Sequence, residues 1–305
     1  MQIANSIIGC FILDDEKIKE KKLYNDYKQF IENRENYIKQ FTKKYPDIKE
    51  DILPNKREFY QKLYEINKEI TKLSLQKSVS YDNLINQSYN SIKEIEKTKN
   101  IIMRRMEEWY SLFLPEIFHM DDKEKIINLI ITKSKSQIMH EIKIKESIGS
   151  DPKESDLEYI RHLAKEIQSL SKLQEKQKEY LESIMSDYCP NLFEVAGTII
   201  SAGLIEHTGS LRKLAIMSSS TIQILGAEKA LFRHLQRNTN PPKYGIIINH
   251  PLISKSPINE KAKRARKLAA AISKAAKIDF FKGDSYQGYS LKKKLEEEYN
   301  AKSHR

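Results

Sequence analysis

The chain predicts a mainly α-helical protein: a small α/β module first, then a long antiparallel coiled coil, then a compact all-helical domain. Three observations lead there. Only nine glycines and nine prolines punctuate 305 residues, too few turn-formers for a strand-rich fold. Two long stretches carry apolar residues at alternating steps of three and four, the spacing of a helical seam. The segment after Cys189-Pro190 is rich in apolar helix-forming residues.

Residues 1–80 form the first module. Ile7–Leu13 is a β-type run, Asp14–Lys17 a turn, and Glu20–Tyr45 a helical stretch broken by Pro46 and Pro54. A further helix covers Arg57 to Leu75, with Phe59, Leu63, Ile66 and Ile70 on one stripe. Residues 81–188 form the coiled coil. Its first seam runs through Ile85, Ser88, Ile92, Ile95, Lys99, Ile102, Met106, Trp109 and Phe113, with Lys99 as a polar interruption, and Pro115 ends it. The second runs from Ser155 to Tyr188 through Leu163, Ile167, Leu170, Leu181 and Ile184, with Gln174 and Gln177 inside it. Ser155 and Asp156 are the N-cap candidates after Asp151-Pro152. Asp121–Gly149 is the hairpin tip. Ile92, Ile95, Ile102 and Met106 are the residues expected to carry self-association. Residues 189–290 form the compact helical domain, and 291–305 a charged helix end.

Hydrophobic residues make up 39% and charged residues 31%, enough for a lean core. Cys10 and Cys189 are the two cysteines; they cannot build a disulfide framework or a four-ligand zinc site and point to a reducing, cytoplasmic setting. No apolar run approaches a bilayer's thickness, Ile126–Ile131 being among the longest. Met1–Leu13 lacks a basic leader and reads as a strand. Between Gly226 and Gly283 thirteen Lys/Arg face three Asp/Glu (Glu228, Glu260, Asp279), a surplus of ten within a net charge of +11. A basic block in an otherwise near-neutral chain marks a polyanion-binding surface, a solvated lysine-rich face being the plainer alternative.

Within this block, Ala227–Gln236 reads as a helix entered from a Ser/Thr-rich segment. Its first turn offers free N–H groups to phosphate. Lys229 and Arg233, four apart, share a face; Leu231 and Leu235 are expected in the core. Lys243 follows two prolines that restrict its loop. His250, before Pro251, divides evenly between a structural and a functional role. Glu260–Asp279 reads as an amphipathic helix. Ala262, Ala265, Leu268, Ala269, Ile272, Ala275 and Ala276 are its buried stripe; Lys263, Arg264, Arg266, Lys267, Lys274 and Lys277 lie around it. No Gly-rich nucleotide loop follows a strand and no Cys/His constellation is spaced for a metal. His207 is isolated, so no catalytic residue, cofactor or metal is assigned.

The runs Asn191-Leu192, Ala196-Gly197, Ala202–Ile205 and Gly209-Ser210-Leu211 come in a telling order. Ser220-Thr221-Ile222-Gln223-Ile224-Leu225-Gly226-Ala227-Glu228-Lys229-Ala230-Leu231-Phe232-Arg233-His234-Leu235 follows, then Pro242–Ile247, His250–Ile253, Lys263–Arg266 and Ala275–Asp279. This order and spacing resembles the Nop domain of archaeal box C/D scaffold proteins. Glu107–Leu112 with Pro115-Glu116 extends the likeness into the coiled coil, so that it covers residues 81–290. The chain departs from the family in its shorter first module, in Ile216-Met217-Ser218 where Lys-Met-Pro is common, and in lacking a lysine-rich tail.

The resemblance implies a non-catalytic scaffold. Its partners would be a box C/D guide RNA, a ribosomal-type kink-turn-binding protein, and fibrillarin, which methylates ribose 2′-hydroxyls with S-adenosylmethionine. Residues 1–80 would dock fibrillarin and the coiled coil would pair two copies. Lys229, Arg233, Lys243, His250, Lys263, Arg264, Arg266 and Lys277 would face RNA, Arg suiting bidentate phosphate recognition. The alternatives are a Nop-domain scaffold of splicing type, an RNA-modifying enzyme with its own site in residues 1–80, and a coiled-coil structural protein.

Overall fold

A computed structural model describes residues 2–6, 9–14, 17–23, 56–237, 239–281 and 285–300. The chain divides into two compact units, Met1–Ser80 and Tyr81–Arg305.

In the first unit, β1 (Gln2–Ser6), β2 (Gly9–Asp14) and β3 (Lys17–Leu23) form an antiparallel sheet in the order β1-β2-β3. The expected single strand is thus a hairpin, with Ser6 opposite Gly9 and Gln2 opposite Leu13. The helix expected from Glu20 is corrected as well: Glu20 pairs with Ile12 and Leu23 with Gly9. Cross-strand pairing outweighs the local helical preference of Lys17–Leu23, and its lysines suit an outer strand that must not recruit another. Residues 24–45 lie outside the described residues. Helix α1 (Lys56–Ser78) is found where the apolar stripe predicts it. Ile66 is buried and Leu63 and Ile70 half-buried, while the side chain of Phe59 lies outside the described residues.

The second unit is built on two long helices, α2 (Tyr81–Tyr110) and α5 (Glu154–Tyr188). They run antiparallel: the start of α2 shares a core with the end of α5, and the end of α2 with the start of α5. Between them lie a 3-10 turn (Pro115–His119), α3 (Lys123–Thr132) and α4 (Lys135–Glu141). Asp122 caps α3 by accepting from the Lys125 N–H at 3.0 Å, and Ser134 with Gln137 forms a capping box on α4. The N-cap of α5 is Lys153, not Ser155 or Asp156. Asp156 lies in the first turn, where its charge suits the helix dipole.

The seam holds two dry cores with a polar belt between them. At one end Ile85, Ile92, Leu181 and Met185 are buried. At the other, Met103, Met106 and Tyr110 meet Ile126, Ile130, Ile160 and Ile167. In the belt, Lys99 Nζ donates to Gln174 Oε1 at 2.8 Å; within the first core, Ser88 Oγ lies 3.4 Å from Gln177 Oε1. The polar residues that interrupt each seam therefore answer one another across it.

The first core continues without a break into the helical domain. This comprises α6 (Pro190–Ala196), α7 (Thr198–Thr208), α8 (Leu211–Ile216), α9 (Ser219–Ile224), α10 (Glu228–Arg237), a 3-10 turn (Ile246–Asn249), α11 (Pro251–Ser254), α12 (Ile258–Phe281) and α13 (Gly288–Asn300). Helix α7 buries Ile200, Ala202, Leu204 and Ile205 together with Ser201, Gly203 and Thr208, the pattern of an interior helix. Helix α12 buries the expected alanine-rich stripe, with Ala262 only half-buried at its start. The charged helix end is packed against the domain: Leu295 and Tyr299 of α13 are buried in the same core, and Tyr299 Oη donates to the Arg264 carbonyl at 2.8 Å. Among the described residues, no helix is long and apolar enough to cross a membrane, and no group of three or more His, Cys, Asp or Glu could hold a metal.

Candidate nucleic-acid interface

The candidate interface begins at the junction of α9 and α10. Ser218 caps α9, accepting from the Thr221 N–H at 3.2 Å. The chain then turns through Gly226, whose φ of +87° is left-handed. A Cβ there would lie 2.5 Å from Ile246 Cγ1. The Gly226 N–H donates to Glu228 Oε1 at 2.7 Å. Partial burial opposes ionisation of Glu228, but the N–H groups of Gly226 and Glu228 and the neighbouring His207 outweigh it and hold the carboxyl below its ordinary range. His207 Nδ1 is 4.0 Å from Glu228 Oε1, so the end of α7 steadies the start of α10.

The loop carrying Lys243 is fastened to this junction. The Gly245 N–H donates to the Gln223 carbonyl at 2.8 Å, the Ile246 N–H to the Leu225 carbonyl at 2.8 Å, and Gln223 Nε2 to the Lys243 carbonyl at 2.6 Å. The two strands of chain lie so close that a Cβ on Gly245 would sit 1.9 Å from the Leu225 oxygen. Lys243 itself is exposed, a cation on a fixed backbone. The part played by Gln223 is not legible from the sequence, because it depends on a partner twenty residues away.

Helix α10 presents Lys229 and Arg233 to solvent and buries none of its residues. The core placement expected for its leucines is corrected: Leu231 is half-buried and Leu235 is 70% exposed. Phe232 is also 61% exposed. The helix is held at its first turn, and among the described residues Phe232 and Leu235 on its apolar side stay uncovered. It offers a mixed surface, cations on one side and large apolar groups beside them.

On α12, Lys263, Arg266 and Lys277 are exposed, and so is Lys274. At 100° per residue these four fall within an arc of about 80°. The repeat of eleven residues, 263 to 274 and 266 to 277, is the signal in the sequence that joins Lys274 to the others. Arg264 is placed differently. Its guanidinium bonds Glu260 at 2.7 and 2.9 Å and lies 4.9 Å from the centre of the Tyr299 ring. It fastens α13 to α12 rather than facing outward.

His250 is also a structural group. It caps α11, its Nδ1 accepting from the Leu252 N–H at 3.2 Å. Burial pushes its pKa down, with Lys292 adding to the effect; the Val195 carbonyl and Glu296 act the other way. Ile92 and Met106 are buried between α2 and α5 of one chain, and Ile95 and Ile102 are half-buried along the same seam. Ile92 and Met106 are thus taken up inside the hairpin, whereas Ile95 and Ile102 keep part of their surface exposed.

A staple holds α6, α12 and the approach to α13 together. Asp279 Oδ1 accepts from the Asn191 main-chain N–H and Nδ2, and Oδ2 accepts from the Leu192 N–H at 2.8 Å. Asn191, fully buried, also donates to the Ser285 carbonyl and accepts from the Gln287 N–H. Both ends of the cationic helix are thereby fixed, by Tyr299 near its start and by Asn191 near its end.

The sequence profile of the Nop family, described as "snoRNA binding domain, fibrillarin", matches residues 91–301. An uncharacterised NOP5 family protein of Methanocaldococcus jannaschii is 38% identical over 244 residues, which are 74% of this chain and 59% of that protein. Nucleolar protein 56 of Schizosaccharomyces pombe is 35% identical over 72% of this chain and 49% of its own length. Human nucleolar protein 56 is 33% identical over 71% of this chain and 40% of its own length. The chain thus spans about half the length of the curated relatives it matches. A chain from the crystal structure of a fibrillarin/Nop5p complex aligns over 98% of this chain and 99% of its own, at 21% identity and a TM-score of 0.45. The signature run that shapes the α9–α10 junction, its fastened loop and the Asn191–Asp279 staple all lie inside the matched span, and the chain belongs to the Nop family.

Proposed function

We propose that this protein is a non-catalytic scaffold of a box C/D guide ribonucleoprotein. Lys229, Arg233 and Lys243, with the α12 stripe, would hold the phosphates of a kink-turn RNA. The exposed Phe232 and Leu235 would meet the ribosomal-type protein already seated on that RNA. The carrying observation is the surface of α10, which is cationic and apolar at once, within a domain whose family is described as snoRNA-binding. A purely electrostatic RNA face has no use for two large exposed apolar side chains, whereas a joint protein–RNA surface does. Residues 1–80, which lie outside the matched span, would hold fibrillarin and so position it for ribose 2′-O-methylation of rRNA or tRNA. Exposed residues of the α2–α5 hairpin would pair two copies. A free, buried Cys189 thiol suits a reducing cytoplasm.

Reconstitution tests this reading. The purified chain alone should transfer no methyl group from S-adenosylmethionine to RNA. Fibrillarin, the kink-turn protein and a guide RNA should support transfer only when the chain is added. Robust transfer by the chain alone, or transfer by the other components without it, overturns the scaffold.

A further inference from the structure

The cationic stripe of α12 does not end in a cation. Phe281, the last residue of the helix, follows Lys263 by eighteen positions, a whole number of turns at 3.6 residues each. It therefore lies on the same line as Lys263, Arg266, Lys274 and Lys277, and it is 62% exposed. Phe280 meets it edge-on, ring centres 4.9 Å apart and planes at 87°. An edge-to-face contact steadies a ring through its rim or one face and leaves aromatic surface free. A lone exposed phenylalanine is unremarkable on a protein surface; one aligned with four cations and braced by a second ring is a different arrangement.

We propose that Phe281 is a stacking platform for an unpaired nucleobase of a single-stranded RNA segment whose phosphates follow the α12 cations. The proposal rests on the RNA-binding reading above and adds to it a place where the strand is unpaired. Cations that track a backbone, interleaved with an aromatic ring that takes a base, are the general arrangement for single-strand binding. Lys277 precedes Phe281 by one turn, about 6 Å along the axis, so a phosphate on the lysine and a base on the ring fit neighbouring parts of one strand. The nearest carboxylate on the helix, Asp279, is engaged with Asn191 and Leu192 and does not oppose the strand. A duplex offers no free base face, so charge alone would bind it and the ring would contribute nothing.

The test uses the full chain with two probes, a single-stranded oligouridylate and a blunt RNA duplex with the same number of phosphates. Phe281→Leu should weaken single-strand binding by about fivefold or more, the fold-change equivalent to roughly 1 kcal/mol of base–aromatic stacking. It should leave duplex binding unchanged. Phe281→Trp should restore the single-strand affinity. The salt dependence of Phe281→Leu should match wild type, because no phosphate contact is lost, whereas Lys277→Ala should show a shallower slope. Wild-type binding of both RNAs with no effect of Phe281→Leu overturns the stacking platform and leaves the RNA face standing. So does an equal loss on both probes. Failure of the wild-type chain to bind either RNA overturns the RNA face itself and the platform with it.

Discussion

Asp279 Oδ1 lies 2.7 Å from Asn191 Nδ2 and 3.1 Å from the Asn191 main-chain nitrogen. One carboxylate thus caps the first turn of α6 from the far end of α12. Asp279→Ala would leave these N–H groups and that of Leu192 without their acceptor in a mostly buried place. The expected cost is about 2–4 kcal/mol of stability, read as a lowered denaturant midpoint. Asp279→Asn keeps an acceptor oxygen and should cost less. Equal stability of Asp279→Ala and wild type would remove the staple from the account.

A second prediction separates two adjacent arginines. Arg266→Ala should weaken binding to a kink-turn RNA already occupied by its protein by about 1–3 kcal/mol, as should Arg233→Ala and Lys243→Ala. Each should shallow the log–log salt slope by roughly 0.7–0.9, with melting unchanged. Arg264→Ala should do the reverse, because its guanidinium bonds Glu260 and stacks on Tyr299. It should lower stability by about 1–2 kcal/mol with little change in salt slope. Lys143→Ala, outside the basic block, is the control. Binding losses of the same size at Lys143 would mean that the proposed face has no special place.

The close approach of Gly245 to Leu225 yields a third. Gly245→Ala drives a Cβ into the Leu225 carbonyl oxygen, so the two fastened segments must part. The expected cost is about 2 kcal/mol or more. RNA affinity should fall beyond what Lys243→Ala alone removes, since the whole loop moves. A variant with wild-type melting and wild-type binding would show that the fastening is dispensable.

The fourth concerns pH. His250 has its pKa lowered by burial, and its neutral Nδ1 accepts from the Leu252 N–H. The unfolded chain takes up the proton more readily than the folded one. Stability is therefore fully present above the ordinary histidine pKa of about 6.5 and falls as pH drops through the lowered folded value. Wild-type melting temperature should decline on acidification below about pH 6.5. His250→Asn keeps a capping oxygen without a titrating group, so its profile should lose the His250 component. Identical pH profiles for both proteins would count against the cap.

The fifth separates folding from pairing. Met106 is fully buried, so Met106→Asp places a charge inside the hairpin and should destabilise the fold itself by about 3–5 kcal/mol. Ile101, 50% exposed, can be changed to Asp without touching the core. If copies pair through the hairpin surface, Ile101→Asp should lower the dimer fraction in sedimentation while melting stays as in wild type. A wild-type monomer at tens of micromolar, on the scale of a weak dimer, would remove pairing from the proposal.

The long elements were legible in the sequence because period and punctuation agreed. Steps of three and four ran unbroken to Pro115, and alanines at helical spacing marked the buried side of α12. What failed were placements decided by distant partners. Glu20–Leu23 joins a sheet because β2 offers a ladder. Leu235 has the spacing of a core residue yet is 70% exposed, lying two turns beyond the first-turn bond that ties α10 down. Arg264 and Arg266 look alike in sequence; Tyr299, 35 residues from Arg264, decides which faces outward. Of the eight candidate RNA contacts, Lys229, Arg233, Lys243, Lys263, Arg266 and Lys277 are exposed, whereas His250 and Arg264 are taken up by caps and packing.

The pair of Lys99 and Gln174 lies between two regions of the hairpin whose interiors share no buried residue. Cooperative units follow contiguous apolar contact, so the tip and the RNA-side domain should open separately, visible as two classes of amide exchange. Evolution can then lengthen, trim or resurface the tip for a new neighbour while the RNA-side half keeps its shape, much as a tool head can be changed without reforging the handle.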